Sequence, residues 1–321
     1  MWKLLFLSGI FLLSLFTLIK AANYFTIAAE KIGLFLGLEP FIVGVTIVSI
    51  GTSIPELISS IIAVWKDSPE IVIGNVVGSN IANIFLILGV ASVISARCLS
   101  IQYDLVDVDL PLFVGSAFLL ALAVGDGEFS SREAFLFILG FFVYLLYAIE
   151  SRTSNIEEKN PEEESRIVNR GKTFLIKQII ILIVSAFFIF LGASFTIDSI
   201  SDISEILKIG KEIIAVSAVA VGTSLPELMV TISAARKGQA EMAVGNILGS
   251  NIFNSFVVMG IPGLMKNLVI PETVLREGIP VMLAGTILFF FTTQDKKVTR
   301  WEGWLFFIFY LWFLGKTFKF F

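Results

Sequence analysis

Long apolar runs separated by short polar breaks repeat along almost the whole chain. A helix needs about 20 predominantly apolar residues to cross a hydrocarbon core. Ten runs answer to that description, near Trp2 to Ala29, Pro40 to Val64, Pro69 to Ile94, Val106 to Val124, Arg132 to Ile149, Phe174 to Ile200, Glu212 to Ala235, Ala240 to Leu264, Thr273 to Thr293 and Trp301 to Lys319. The pattern predicts an all-α membrane protein with ten transmembrane helices. The first run is followed by Lys20-Ala21-Ala22-Asn23, an arrangement that a cleaved signal peptide could also show. Apolar sequence resumes at once through Tyr24 to Ala29, so a retained span is the simpler reading, with Lys20 snorkelling or facing protein.

Composition agrees. Of 321 residues, 56% are hydrophobic and 16% charged, and the mean hydropathy is +0.90, more apolar surface than a soluble globule can hide. Cys98 is the single cysteine, which excludes an internal disulfide and a thiolate cluster for structural zinc. With no histidine, the commonest metal ligand and the commonest proton relay near neutral pH are missing. The net charge of −4 matters less than where the charges fall. If the N-terminus is outside, about thirteen Lys and Arg fall in cytoplasmic loops and about nine outside. Arg152, Lys159, Arg166, Arg170, Lys172 and Lys177 cluster in or beside the one long polar stretch, Glu150 to Thr173, which is therefore expected in the cytoplasm. Its Glu157-Glu158 and Glu162-Glu163-Glu164 runs around Asn160-Pro161 read as a solvated connector, too short for a domain.

The most informative feature is an internal duplication at an offset of 171 residues. Pro40 to Val90 aligns without a gap on Lys211 to Ile261, and 22 of the 51 positions are identical. Gly51-Thr52-Ser53-Ile54-Pro55-Glu56 returns as Gly222-Thr223-Ser224-Leu225-Pro226-Glu227, and Gly74-Asn75-Val76-Val77-Gly78-Ser79-Asn80-Ile81-Ala82-Asn83 as Gly245-Asn246-Ile247-Leu248-Gly249-Ser250-Asn251-Ile252-Phe253-Asn254. A lipid-facing helix has no reason to keep such polar patches. Five spans separate equivalent points, so the halves enter the membrane from opposite sides, an inverted repeat with its site at the repeat interface. The expected organisation is a first five-helix half (1–150, repeat 40–90), a cytoplasmic linker (151–173) and a second five-helix half (174–321, repeat 211–261).

Glu56 and Glu227 each lie inside an apolar span, where an unpaired charge is costly, and each is a functional candidate for that reason. Thr52 and Ser53 share a helix face with Glu56, as Thr223 and Ser224 do with Glu227. Pro55 and Pro226, with Gly51 and Gly222 nearby, are expected to break each helix at membrane depth, where freed carbonyls suit a hard cation. One span further on, Ser79 and Asn83, like Ser250 and Asn254, stand four apart on one face, while Gly74, Gly78, Gly245 and Gly249 let backbones approach closely. Two carboxylates with amide, hydroxyl and carbonyl oxygens match the six to eight oxygens calcium accepts, and sodium uses the same atoms. For Asn75, Asn80, Asn246 and Asn251, interhelical hydrogen bonding competes with ion contact. Asp104, Asp107 and Asp109 precede a span, and Asp198, Asp202 and Glu205 sit near the end of another; solvated or capping roles are expected for all six.

These segments resemble the alpha repeats of the cation/calcium exchanger superfamily, and most closely its prokaryotic sodium/calcium exchanger branch. The resemblance implies an antiporter, not an enzyme, with calcium and sodium as cargo, the bilayer as surroundings, and no cofactor, nucleic acid or obligate protein partner. It further implies that calcium is held by Glu56 and Glu227 with the carbonyls of Thr52 and Thr223. Sodium would use the glutamates, the hydroxyls of Ser53, Ser79, Ser224 and Ser250 and the carbonyls of Ser49 and Ala220, with Asn83 and Asn254 completing the centre. In the family the long first and sixth helices slide across the other eight. Potassium-dependent members carry an aspartate where this chain has Asn254, so potassium independence is implied. Proton-coupled members typically carry a further glutamate after the Gly-Asn pair, a position held here by neither repeat, yet a calcium/proton exchanger of the same fold is the alternative. An intramembrane aspartyl protease, suggested by Tyr103-Asp104 and Gly125-Asp126-Gly127, would need two acids facing each other within the membrane.

Overall fold

The structure, a computed structural model, describes residues 2–95, 98–105, 108–154, 171–206 and 224–317. Among these residues the chain forms ten helical segments: α1 (Trp2–Leu36), α2 (Pro40–Trp65), α3 (Glu70–Ile94), α4 (Asp109–Ala123), α5 (Ser131–Ser154), α6 (Gly171–Ile206), α7 (Leu225–Arg236), α8 (Ala240–Met265), α9 (Val274–Thr293) and α10 (Arg300–Thr317). Seven of them are long and apolar enough to cross a membrane by themselves: α1, α2, α3, α5, α6, α8 and α9. The apolar helix α4 is shorter, and residues 207–223, ahead of α7, lie outside those described. The molecule is a mostly helical, multi-pass membrane protein.

α1 and α6 run antiparallel along each other, with Gly192 against the Leu18 backbone, Thr196 Oγ1 donating to Ser14 Oγ at 2.9 Å, and Phe35 beside Phe174. The remaining helices form a body whose centre is α8. There α2 crosses α8 backbone to backbone. A Cβ on Gly245 would lie 2.6 Å from the Phe41 carbonyl oxygen, and one on Gly44 would lie 2.5 Å from that of Met242, so only glycine permits the crossing. The segment that would stand in the same relation to Gly74 and Gly78, residues 212–220, lies outside the described residues.

The expected break at Pro55 is not what forms. α2 continues as α-helix from Ser49 to Trp65 with Pro55 inside it, and the irregularity sits upstream as a π-helical turn, Gly44–Val48. Proline removes one N–H and crowds one carbonyl, which a helix packed among other helices tolerates, while the wider π turn takes up the distortion. In the second half Pro226 occupies the first turn of α7, where its missing N–H is unneeded anyway. Further π turns fall at Ala82–Leu88 in α3, Asn254–Val258 in α8 and Val274–Gly278 in α9.

Four two-residue strands, unforeseen in the sequence, join the connections. β1 (Leu99–Ser100) pairs antiparallel with β4 (Lys297–Val298), and β2 (Glu128–Phe129) with β3 (Leu268–Val269). β1 and β2 stand at opposite ends of α4, so the two miniature sheets cap opposite ends of the molecule. Each takes one strand from either half of the chain.

Candidate functional site

The polar residues of both repeats meet at the centre of this body. Glu56, Thr52 and Ser53 on α2, Ser79, Asn80 and Asn83 on α3, Ser224 and Glu227 at the start of α7, and Asn246, Ser250, Asn251 and Asn254 on α8 are all buried, and Ser49 is buried one turn before Thr52. Ala220 and Thr223 lie outside the described residues. The helical spacing that put Thr52, Ser53 and Glu56 on one face is what drives all three inward together.

What the spacing could not give is which half each group serves. The Ser53 hydroxyl, on the same helix as Glu56, donates to Glu227 Oε1 of the other half at 3.0 Å. Thr52 Oγ1 lies 3.3 Å from Asn246 Oδ1, and Asn246 Nδ2 donates onward to Thr231 Oγ1 at 2.8 Å. Thr52 also contacts the Ser49 carbonyl at 3.2 Å, and the Ser224 carbonyl accepts the Leu228 N–H at 3.0 Å. The amides cross reciprocally: Asn83 Nδ2 donates to Asn251 Oδ1 at 3.0 Å, and Asn254 Nδ2 donates to Asn80 Oδ1 at 3.2 Å. Positions 80 and 83 correspond to 251 and 254 at the offset of 171, so these two bonds are the same bond made twice with the halves exchanged. Asn80 Nδ2 reaches Ser255 Oγ, and Asn75 Nδ2 reaches Ser60 Oγ and the Glu56 carbonyl. Asn75, Asn80, Asn246 and Asn251 each take part in an interhelical hydrogen bond. Ser255 and Thr231 were not anticipated; their positions on the same inward faces as Asn251 and Glu227 were the available signal.

Several buried acceptors receive nothing from the protein. Both Glu56 carboxylate oxygens, Glu227 Oε2, Asn83 Oδ1, Asn254 Oδ1 and Ser250 Oγ have no hydrogen-bond partner. Buried polar atoms are ordinarily hydrogen-bonded, because each unmatched one costs on the order of 1–3 kcal/mol. Six unmatched oxygens from four helices and both halves are what a hard cation requires and what a protein core otherwise avoids. No softer ligand accompanies them: Cys98 is exposed, and among the described residues no three acidic or thiol groups cluster as a resident metal site would need.

The other acids divide. Asp104 pairs with Lys296 at 3.1 Å, and Asp198 and Asp202 are exposed, while Asp107 lies outside the described residues. Asp109 does not cap in solvent as expected. It is fully buried and accepts the Tyr147 hydroxyl at 3.2 Å, because α5 brings tyrosines against the first turn of α4. Asp104 and Asp126 stand at opposite ends of α4, so these two aspartates do not face each other as proteolysis would need.

A bilayer-crossing body with an oxygen-lined polar centre is the architecture of an ion transporter. The chain belongs to the sodium/calcium exchanger family: the family profile described as "Sodium/calcium exchanger protein" matches residues 6–150 and 177–318. The sodium/calcium exchanger MaX1 of Methanosarcina acetivorans is 36% identical, covering 95% of this chain and 96% of the relative. The inner membrane protein YrbG of Escherichia coli is 29% identical over 89% of this chain and 88% of its own length. Among solved structures, the sodium-calcium exchanger NCX_Mj soaked with zero sodium and calcium superposes with a TM-score of 0.82 at 27% identity, covering 98% of this chain and 99% of that one. The same exchanger soaked with sodium and strontium gives 0.81 at 28% identity. Membership makes this protein an exchanger of cations against calcium, a transporter rather than an enzyme.

Proposed function

We propose that the protein exchanges sodium for calcium across a prokaryotic cytoplasmic membrane by alternating access, at a site built around Glu56 and Glu227. The observation that carries this reading is the set of buried, unmatched oxygens contributed by both halves. Calcium takes both carboxylates and the carbonyls of Thr52 and Thr223. Sodium takes the glutamates with Ser53, Ser79, Ser224 and Ser250, the carbonyls of Ser49 and Ala220, and Asn83 and Asn254 at the centre. Two carboxylates neutralise one calcium ion, so the loaded site crosses the low-dielectric barrier near neutrality. A load of about three sodium ions, the number the family resemblance implies, carries one extra positive charge.

The ten helices are read as ten transmembrane spans in two inverted halves, 1–150 and 174–321, with the N-terminus outside and the 151–173 linker in the cytoplasm. The reciprocal asparagine bonds and the strand pairs that join unlike loops at opposite ends of α4 support that inversion. Asn254 in place of an aspartate supports potassium independence.

Calcium uptake into proteoliposomes loaded with sodium tests the reading. Uptake is expected with internal sodium and not with internal potassium or a proton gradient. A positive interior should speed uptake, because each net charge moved is worth about 2.3 kcal/mol per 100 mV. Uptake driven by protons alone, with sodium indifferent, would put the calcium/proton alternative in its place. Indifference to the potential with sodium coupling intact would reject the three-for-one load.

A further inference from the structure

The exchange reading employs the carboxylates and amides of the centre and leaves the charge of Lys20, within the first span, without a task. Lys20 lies near the middle of the 35-residue helix α1, on its exposed side. Among the described residues no carboxylate pairs with it; its ammonium instead stands 5.6 Å from the centroid of the Phe16 ring. A charge within a span marks a functional site unless something nearby accounts for it.

Its depth follows from the contacts of α1. The Phe25 ring closes on Gly51, where an added Cβ would lie 2.7 Å away, so Phe25 is level with the Thr52 and Ser53 turn of the polar centre. Phe16 is nine residues towards the N-terminus, about 13 Å along the helix axis. Helical side chains lean towards the N-terminus, and the Phe16 contact shows Lys20 doing so by a full turn. With the ion site near the midplane and a hydrocarbon half-thickness of about 15 Å, the ammonium reaches the boundary where acyl chains give way to headgroups.

Below that ammonium lies a groove of about 440 Å³ between α1 and α6, whose walls include Phe16, Tyr24, Ile180, Val184 and Phe188. Its threonine and serine hydroxyls are already committed: Thr17 donates to the Leu13 carbonyl and Ser185 to that of Ile181. The groove thus offers a largely apolar trough along α1 and α6 towards the headgroup level, open to lipid, with Lys20 as the one cation in its lining. We propose that it binds one anionic phospholipid, the phosphate against Lys20 and an acyl chain laid between α1 and α6. A zwitterionic lipid brings its own cation to the phosphate and gains less from Lys20, whereas a net negative headgroup needs one. The bound lipid touches both helices of the pair and so ties them to each other.

The test uses the purified full-length protein in detergent, with dioleoylphosphatidylglycerol, dioleoylphosphatidylcholine or oleate added, and reads thermal unfolding. Phosphatidylglycerol should raise the melting temperature above the phosphatidylcholine value by about 2–4 °C. Lys20→Met should erase that difference while Lys20→Arg keeps it. Native mass spectrometry of the unmodified protein should show one retained phosphatidylglycerol and no phosphatidylcholine, a readout that stands even if Lys20→Met fails to fold. Equal protection by both phospholipids, or a full phosphatidylglycerol increment in Lys20→Met, would overturn the proposal; oleate matching phosphatidylglycerol would overturn the phospholipid as occupant. Neither readout depends on transport.

Discussion

α8 and the α1–α6 pair are built of similarly apolar sequence yet hold their places by different means. In α8, 89% of the apolar window is buried; in α6 the share is 17% and in α1 it is 22%. α8 is fixed by glycines that let backbones touch and by asparagines that bond across the halves, so a shift of an ångström would break several interactions at once. The outer pair presents Phe16, Phe187, Phe195 and Leu13 to lipid, and its contacts with the body are mainly those of side chains such as Phe25 on Gly51. Helices that meet through apolar surface can slide with little change in free energy, because lipid and protein are equally apolar. A membrane exchanger needs both kinds of region, one that keeps ligand geometry and one that can move past it.

The largest effect should come from the centre. Glu56→Gln and Glu227→Gln each remove half the negative charge facing a divalent ion, worth at least about 2 kcal/mol or roughly 30-fold. Sodium-driven calcium uptake at limiting calcium should fall by that factor or more in protein that still inserts; near-normal uptake would displace the site. Gly245→Ala comes next, since its Cβ would press on the Phe41 carbonyl with no room on either backbone. It should destabilise the body by about 1–3 kcal/mol, seen as a lower melting temperature in detergent. Gly192→Ala sharpens the comparison: its Cβ would meet the Leu18 backbone at 3.0 Å, but α1 can move aside into lipid. Its loss of melting temperature should be less than half that of Gly245→Ala, and an equal loss would mean that the outer pair is held as rigidly as the centre.

The smallest effect belongs to the surface ion pair of Lys266 with Asp67. The hydrogen bond and charge of Lys266 hold the Asp67 carboxyl below its usual range. A depressed folded-state value means that whatever the pair contributes is present at neutral pH and is lost as pH falls through that value. Because both groups are solvated, Lys266→Ala should leave the melting curve at pH 7 unchanged within error.

The sequence carried the inward faces of this centre but not their cross-connections. Helical spacing put Glu56 with Ser53 and Asn254 with Ser250, because periodicity is a local property. That Ser53 bonds Glu227, and that Asn83 bonds Asn251, depends on how helices about 170 residues apart cross, which no local spacing records. Asp109 misled for a related reason. An acid in a helix's first turn is ordinarily a solvated cap, and nothing near it in sequence announced Tyr147. Pro55 misled by its reputation, since a proline in a crowded span costs one hydrogen bond without ending the helix. The strands escaped notice because each is two residues long, too short for an alternating pattern.

Those strands bear on descent and assembly. The first half owns β1 and β2, the second β3 and β4, and neither couple pairs with itself. A half made alone would carry an unpaired edge at each end, and a buried asparagine face with no counterpart to answer it. Completing these strand pairs and asparagine bonds therefore takes both halves of the chain. The covalent connection turns an encounter between two molecules, dependent on their concentration, into a property of one.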